Sequence, residues 1–173
     1  PMRRQIAQHM VRSYQTIPHA WLAMEADVTR LVRLREATKD EFRRREGIDL
    51  TYLPFVVKAA VEALKEYPVL NSVWAEDKII IKKRINIGIA VALEDGLIVP
   101  VIKDADQKSI AGLARAIADL VDRARSGRLT LDDVQGGTFT VNNTGALGSV
   151  VSRPIINEPQ VGILTSEAIG KRP

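Results

Sequence analysis

Hydrophobic and polar residues alternate most regularly over residues 85–93 of this chain. Apolar side chains at every second position predict a β-strand with one buried face. The intervening positions are small, so we expect a packed helix on that side, with another strand or a ligand as the alternatives. The apolar run at 97–102 predicts a returning strand in which Pro100 lies at an edge or a bulge. The apolar face contains Ile85, Ile87, Ile89, Val91 and Leu93, and the small face Asn86, Gly88, Ala90 and Ala92.

Helical spacing of apolar residues predicts four helices. The alternation over residues 19–28 predicts a further strand. Residues 1–18 then form an N-terminal helical arm, and residues 19–173 form a single α/β domain. The helices are predicted over residues 3–16, after Thr29, after Pro54, and from Ser109 to just before Gly127.

Composition and charge exclude several classes of function. The chain has 173 residues, 46% of them hydrophobic, which is enough for one domain with a core. No apolar run approaches a membrane span, so we expect a soluble protein. The net charge of +4 is too small and too scattered to indicate nucleic-acid binding. The absence of cysteine excludes disulfides, thiolate zinc sites and a cysteine nucleophile. The acidic residues at 104, 106, 132 and 133 have no histidine beside them and predict turns and helix starts, not a metal site.

The segment GGTFTVNNTGALGSVVSRPIINEP, at residues 136–159, is the most informative motif. A β-rich run leads into Asn142 and Asn143, and a glycine-spaced loop follows. Asparagine and glycine tolerate positive φ and expose backbone N–H groups, so this backbone can approach a ligand closely. From these residues alone, an ordinary hairpin loop is an equal alternative.

This segment resembles the active-site loop of the dihydrolipoamide acyltransferases of 2-oxo-acid dehydrogenase complexes. Three further segments resemble the same family in the same order, so the resemblance covers nearly the whole chain. The wording NNTGALGS resembles the branched-chain subgroup most closely. The resemblance implies an α/β fold with a mixed sheet covered by helices, as in chloramphenicol acetyltransferase. The three segments are RRQIAQHMVRSYQTIPHAWLAMEADVTRLVRLRE, LTYLPFVVKAAVEAL and NIGIAVALEDGLIVPVIKDADQKSI.

The resemblance also implies an activity, the transfer of an acyl group between the thiols of dihydrolipoamide and coenzyme A. Such a transfer needs a base for the attacking thiol and a hydrogen-bond donor for the oxyanion. In the family the donor is a serine or threonine hydroxyl on the glycine-rich loop. Asn142 stands in that place here, and its amide can also donate; a simple turn residue is the alternative.

The family's base is a histidine in a C-terminal H-x-x-x-D-G motif, which this sequence does not contain. His9 and His19 are expected to be structural or solvent-facing. We therefore expect a C-terminally truncated catalytic core that is inactive or nearly so by itself. The alternative is a non-catalytic scaffold homologue. A free-standing acetyltransferase of the antibiotic-modifying kind would share the fold but should lack the four matching segments.

By the same resemblance, Arg35, Thr51 and Asn143 fall on coenzyme A contacts of the family. A guanidinium suits phosphate, while hydroxyls and amides suit the pantetheine arm. Arg35 could equally be a helix-surface residue, and Thr51 could cap the following helix. Ala92 occupies a place where family members can carry an acidic group.

The implied partners come with the family. It forms homotrimers that build a larger cubic or icosahedral core, and it works with a lipoyl domain, dehydrogenase subunits and dihydrolipoamide dehydrogenase. The lipoyl group would be carried by a domain outside this chain. Neither a nucleic acid nor a membrane is expected as a partner. The sequence does not decide between a bacterial or archaeal cytoplasm and the mitochondrial matrix, nor which acyl group is preferred.

Overall fold

The structure is a computed structural model that describes residues 2–94 and 96–171. Pro1, at the start of the predicted arm, and Asp95, in the turn between two strands, lie outside the described residues. The helices are α1 (Met2–Thr16), α2 (Thr29–Glu46), α3 (Leu53–Glu66), α4 (Ile110–Arg125) and α5 (Leu131–Val134). The strands are β1 (Ser72–Ala75), β2 (Lys78–Ile81), β3 (Ile87–Ile89), β4 (Val91–Leu93), β5 (Gly96–Ile98), β6 (Val101–Ile102), β7 (Phe139–Asn143) and β8 (Ile163–Ser166).

Four of these strands form a mixed sheet in the order β6-β3-β7-β8. β3 pairs antiparallel with β6 and parallel with β7, and β7 pairs parallel with β8. β1 with β2 and β4 with β5 form separate antiparallel pairs. The predicted α/β class with a mixed sheet is confirmed.

One face of the sheet carries the apolar core. The apolar stripes of α3 and α4 pack on it, because Val57, Leu64, Leu113 and Leu120 belong to the same buried cluster as the strand residues. Ser109 caps α4 by accepting a hydrogen bond from Gly112 N at 3.1 Å, as its place in the sequence predicts. The strand residues of this cluster are Ile87, Ile89, Val91, Ile102, Phe139 and Val141, and Ile85 just before β3 joins them.

The opposite face of the sheet differs from its prediction. The helices α3 and α4 do not cover the small residues; they pack on the isoleucine side. At Gly88 a Cβ atom would lie 2.8 Å from Val99 Cγ1 and 3.2 Å from Thr140 Oγ1. A cavity of about 240 Å³ lies beyond it, bounded by Gly88, Gly137 and residues 157–160. The reason is chemical, since this face also carries Asn86 and threonines, which an apolar helix stripe could not satisfy.

Two predicted strands are also corrected. Residues 18–28 contain no strand, and residues 20–27 are exposed. An alternating pattern makes a strand only when a neighbouring strand supplies hydrogen bonds, and none in the described part of the chain lies beside this segment. The strand predicted over 85–93 is interrupted at Ala90, so that β3 joins the main sheet while β4 pairs with β5. Pro100 falls between β5 and β6, at the break that its missing N–H predicts.

The helical arm lies against a late segment of the same chain. Buried Ser13 accepts a hydrogen bond from Glu158 N at 3.3 Å, and Arg12 pairs with the Glu158 carboxylate at 2.9 Å. The Arg153 guanidinium lies 4.1 Å from the Trp21 ring centroid. These contacts fasten α1 and the residues after it onto residues 153–158.

Candidate active site

Strand β7 places the two candidate asparagines at its carboxyl end. Phe139 and Val141 point into the apolar core, so Asn142 points to the opposite face, beside Thr138 and Thr140. Asn143 follows on the helical side. The side chains of the two neighbouring asparagines therefore point to opposite faces of the sheet, because both residues belong to the strand.

Hydrogen bonds satisfy the side chains of Thr138, just before β7, and of Thr140 on the polar face of β7. Thr138 Oγ1 accepts from Asn86 N at 3.0 Å and donates to Asn86 O at 3.2 Å. Thr140 Oγ1 donates to Gln160 Oε1 at 2.6 Å. All four residues are buried, so these pairs meet the rule that buried polar groups find partners.

The third position on this face is open. Asn142 is half-buried, and its side chain makes no hydrogen bond within residues 2–94 and 96–171. Its register partner on β8 is Thr165, whose Oγ1 is buried and has no hydrogen-bond partner among the described residues. An amide that is half-exposed and free of internal bonds is available to a ligand.

The glycine-spaced loop after β7 is folded around Glu167. The Glu167 carboxylate accepts from Ser152 Oγ at 2.5 Å and from Thr144 Oγ1 at 2.8 Å. The Ser152 hydroxyl, with help from Thr144, holds the pKa of this carboxyl below its ordinary value, although desolvation opposes the shift. A Cβ at Gly145 would collide with the Glu167 carbonyl group and lie 2.6 Å from Ala168 N, so only glycine fits there.

Arg35 and Thr51 come together elsewhere, at the junction of α2 and α3. Arg35 Nε donates to Leu50 O at 2.7 Å, and its guanidinium lies 4.9 Å from the Tyr52 ring centroid. These contacts bracket Thr51, which is exposed. No side-chain hydrogen bond caps the start of α3, so the capping alternative for Thr51 is not realised. Within the described residues, no hydrogen bond joins this pair to Asn142 or Asn143.

Both histidines hold the segment after the loop. His9 Nε2 hydrogen-bonds Asn157 Oδ1 at 2.9 Å. His19 Nδ1–H donates to Ile17 O at 2.7 Å, and its Nε2 accepts from Ile156 N at 3.0 Å, which fixes the neutral tautomer. These bonds are consistent with the structural role predicted for the two side chains.

The acidic pairs also have structural partners. Asp133 accepts from Arg123 and from Thr130 at the start of α5, and the Arg123 guanidinium holds the pKa of the Asp133 carboxyl far below its ordinary value. Asp104 forms a two-pronged pair with Arg84. Across residues 2–94 and 96–171, no three His, Asp or Glu side chains are grouped to hold a metal ion. No helix in the same residues is both long and apolar enough to cross a membrane.

Sequence reasoning missed Thr165, Glu167 and the Thr140–Gln160 pair. One signal was readable, because Thr138, Thr140 and Asn142 alternate with apolar residues and so share one face of a strand. Their partners could not be predicted from the sequence. Thr165, for example, lies beside Asn142 only because of the register between β7 and β8.

The whole chain, residues 1–173, matches the family of 2-oxoacid dehydrogenases acyltransferase (catalytic domain). The chain belongs to this family. The lipoamide acyltransferase component of the branched-chain alpha-keto acid dehydrogenase complex of Bacillus subtilis (strain 168) is 58% identical over 172 residues, covering 99% of this chain and 41% of the relative. The succinyltransferase component of the 2-oxoglutarate dehydrogenase complex of the same organism is 44% identical over 171 residues, with the same coverage. The acyltransferase chain thus spans about two fifths of the length of these relatives, 41% in each case.

Solved acyltransferase structures share the fold. A probable dihydrolipoamide acetyltransferase from Listeria monocytogenes superposes with a TM-score of 0.97 at 57% identity, over 99% of this chain and 74% of that one. The cubic core of the pyruvate dehydrogenase multienzyme complex superposes with a TM-score of 0.96 at 39% identity, over 99% and 71%. The expected family and its chloramphenicol acetyltransferase-like fold are confirmed.

Proposed function

We propose that this chain is the acyl-transfer core of a 2-oxo-acid dehydrogenase complex of the branched-chain type. It moves an acyl group between the thioester of dihydrolipoamide and the thiol of coenzyme A. The observation that carries this proposal is the open Asn142 amide, which stands on the buried strand of a family member where the resemblance expects the oxyanion donor. The 58% identity to the branched-chain relative supports the subgroup.

The chemistry is an exchange of one thioester for another. The attacking thiol gives its proton to a base, and its sulfur forms a bond to the acyl carbon. The acyl oxygen becomes negatively charged, and the Asn142 amide donates a hydrogen bond to it. The carbon–sulfur bond of the first thioester then breaks, and the departing sulfur takes up the proton.

The base is proposed to lie in the H-x-x-x-D-G segment of the family, which these 173 residues do not contain. By themselves the 173 residues are therefore expected to be nearly inactive. The scaffold alternative rests on the same observation, so the experiment must separate the two.

Coenzyme A is proposed to contact Arg35, Thr51 and Asn143. The half-buried Arg35 is already held by Leu50 O and Tyr52, so its guanidinium is ordered beside exposed Thr51 before any ligand arrives. Preordered donors lose less conformational entropy on binding. The acyl group would arrive on a lipoyl group carried by a domain outside this chain.

The chain is further proposed to act as a homotrimer within a larger cubic or icosahedral core. A dehydrogenase and dihydrolipoamide dehydrogenase are the proposed partner subunits. Support comes from the match to a solved cubic core of a pyruvate dehydrogenase complex. The arm, residues 1–18, is proposed as an appendage held on the core domain, residues 19–173, by its contacts to residues 153–158.

The experiment that tests the function fuses the chain to a family segment bearing the H-x-x-x-D-G motif. Acyl transfer from an acyl-dihydrolipoamide to coenzyme A should appear in the fusion protein and vanish when the added histidine is changed to alanine. Coenzyme A binding without any transfer by the fusion protein would favour the scaffold.

The coenzyme A contacts have their own test in the fusion protein. Arg35→Ala should raise KM for coenzyme A by about tenfold or more while changing kcat little, since a lost charged hydrogen bond costs about 1.5–3 kcal/mol. Arg33→Ala, on the exposed surface of the same helix, is the matched control. Equal KM values for the two variants would return Arg35 to a helix-surface role.

A further inference from the structure

Three polar side chains at alternate positions share one face, at Thr138 just before β7 and at Thr140 and Asn142 within it. Among the described residues, only the first two are hydrogen-bonded. At Thr138 and Thr140 each hydroxyl meets its partner, Asn86 and Gln160 respectively. Within residues 2–94 and 96–171, the Asn142 side chain makes no hydrogen bond, and the adjacent Thr165 Oγ1 is buried without a partner. An unpaired buried hydroxyl destabilises a fold and is uncommon, so this position calls for a physical explanation.

The register of β7 with β8 puts the two open groups side by side. Asn142 and Thr165 are direct partners in a parallel pair, so their side chains leave the sheet on the same face. Because Thr165 Oγ1 is buried, a ligand cannot reach it directly. The half-exposed Asn142 side chain can reach Thr165 Oγ1 by rotating about its own χ angles.

We propose that Thr165 is a positioning residue for Asn142. When the acyl substrate binds, the Thr165 hydroxyl donates to Asn142 Oδ1, as Thr140 Oγ1 donates to the amide oxygen of Gln160 at the neighbouring pair. With Oδ1 held against β8, the amide NH₂ points away from Thr165 and toward the acyl oxygen. The bond also polarises the amide, which makes its N–H groups better donors. This inference rests on the proposed function, because it assigns the group that orients the oxyanion donor.

The kinetic test uses the fusion protein and isosteric changes. Thr165→Val removes the hydroxyl at constant shape and should lower kcat about tenfold with KM unchanged, because the lost orientation affects only the transition state. Thr165→Ser restores the hydroxyl and should restore most of kcat. In the Asn142→Ala background, Thr165→Val should have no further effect. An undiminished kcat in Thr165→Val, or an equal loss with and without Asn142, overturns the inference.

Thermal stability distinguishes a positioning role of Thr165 from a purely structural one. Among the described residues Thr165 Oγ1 has no hydrogen-bond partner, so Thr165→Val should not lower Tm without ligand. Thr140→Val, the matched control, leaves the buried Gln160 amide oxygen unpaired and should lower Tm by about 2–8 °C. A comparable drop in Thr165→Val would make Thr165 an ordinary structural residue and overturn the inference.

Nuclear magnetic resonance on the ¹⁵N-labelled 173-residue chain separates this inference from the proposed function. Its probe is acetyl-coenzyme A. The Asn142 side-chain resonances are identified by their loss in Asn142→Ala and should shift in Thr165→Val. If they do not shift, the contact does not form. If they shift but the fusion protein transfers no acyl group, the contact stands and the proposed function fails. If Asn142→Ala leaves kcat unchanged, Asn142 is not the oxyanion donor, so the inference fails while the acyl-transfer function stands.

Discussion

The two faces of the four-stranded sheet are held by different physics. On the helical face, Ile87 and Val141 belong to one apolar cluster with side chains of α3 and α4, whose contacts are non-directional. On the polar face, Thr138 and Thr140 are each matched to one partner by a directed hydrogen bond. Burial of apolar surface area stabilises the first face, and such packing tolerates small rearrangements of the side chains. Pairing specifies positions on the second, where Asn142 is the position whose side chain makes no hydrogen bond to the described residues.

The largest effect is expected on the helical face. Leu113 is 0% exposed, at the centre of the apolar cluster. Leu113→Ala removes its buried methyl groups and leaves a cavity, so the free energy of unfolding should fall by about 2–5 kcal/mol in urea titrations. Leu131→Ala, at a side chain that is 70% exposed, should change it by less than about 0.5 kcal/mol. Similar losses for the two variants would show that the helical face does not carry the stability.

A change at the open position of the polar face should act on turnover instead. In the fusion protein, Asn142→Ala should lower kcat about 10²-fold by removing the oxyanion donor, while the free energy of unfolding stays within about 0.5 kcal/mol. The control is Asn143→Ala, on the opposite face, which should raise KM for coenzyme A and spare kcat. An unchanged kcat in Asn142→Ala would leave Asn142 as a turn residue.

The smallest effect concerns the carboxylate beyond the edge of that face. The pKa of Glu167 is lowered in the folded chain, so its bonds to Ser152 and Thr144 stabilise the fold above the ordinary carboxyl pKa of about 4.3. That contribution is lost as the pH falls through the lowered pKa. Glu167→Gln should therefore be less stable than the parent by about 1 kcal/mol at pH 7, with the gap closing toward pH 3.

Thermal unfolding across this pH range provides the measurement. Glu66→Gln, at an exposed glutamate at the end of α3, should show no gap at any pH. A gap for Glu167→Gln that persists unchanged to pH 3 would mean that the carboxylate charge does not hold the loop.

The two faces also differ in how well the sequence predicts them. The apolar stripes at Ile87 and Leu113 and the cap at Ser109 were predictable, because periodicity and capping are local properties. The small residues around Gly88 predicted a close contact, but they did not show which group would make it. The hydrophobic pattern identifies the buried positions of a strand but does not show on which of its two faces a helix packs.

The candidate site was predictable only in part. Asn142 was identified from resemblance and was expected just after the β-rich run, whereas the strand extends through Asn143. The partners Gln160, Thr165 and Glu167 could not be predicted, since each depends on a pairing register between distant segments. The strand expected over 19–28 failed for a related reason, because alternation does not supply a neighbouring strand.

The fastening of the arm has a kinetic consequence. The contacts of the arm and of His19 just after it join residues that are 137 to 148 positions apart, between His9 and Asn157, Ser13 and Glu158, and His19 and Ile156. Contacts of such long sequence separation close the longest loops of the chain and cost the most loop-closure entropy. We therefore expect the arm to dock late during folding and to detach early. The amide hydrogen of Ile156, bonded to the His19 side chain immediately after the arm, should report such detachment by exchange with solvent.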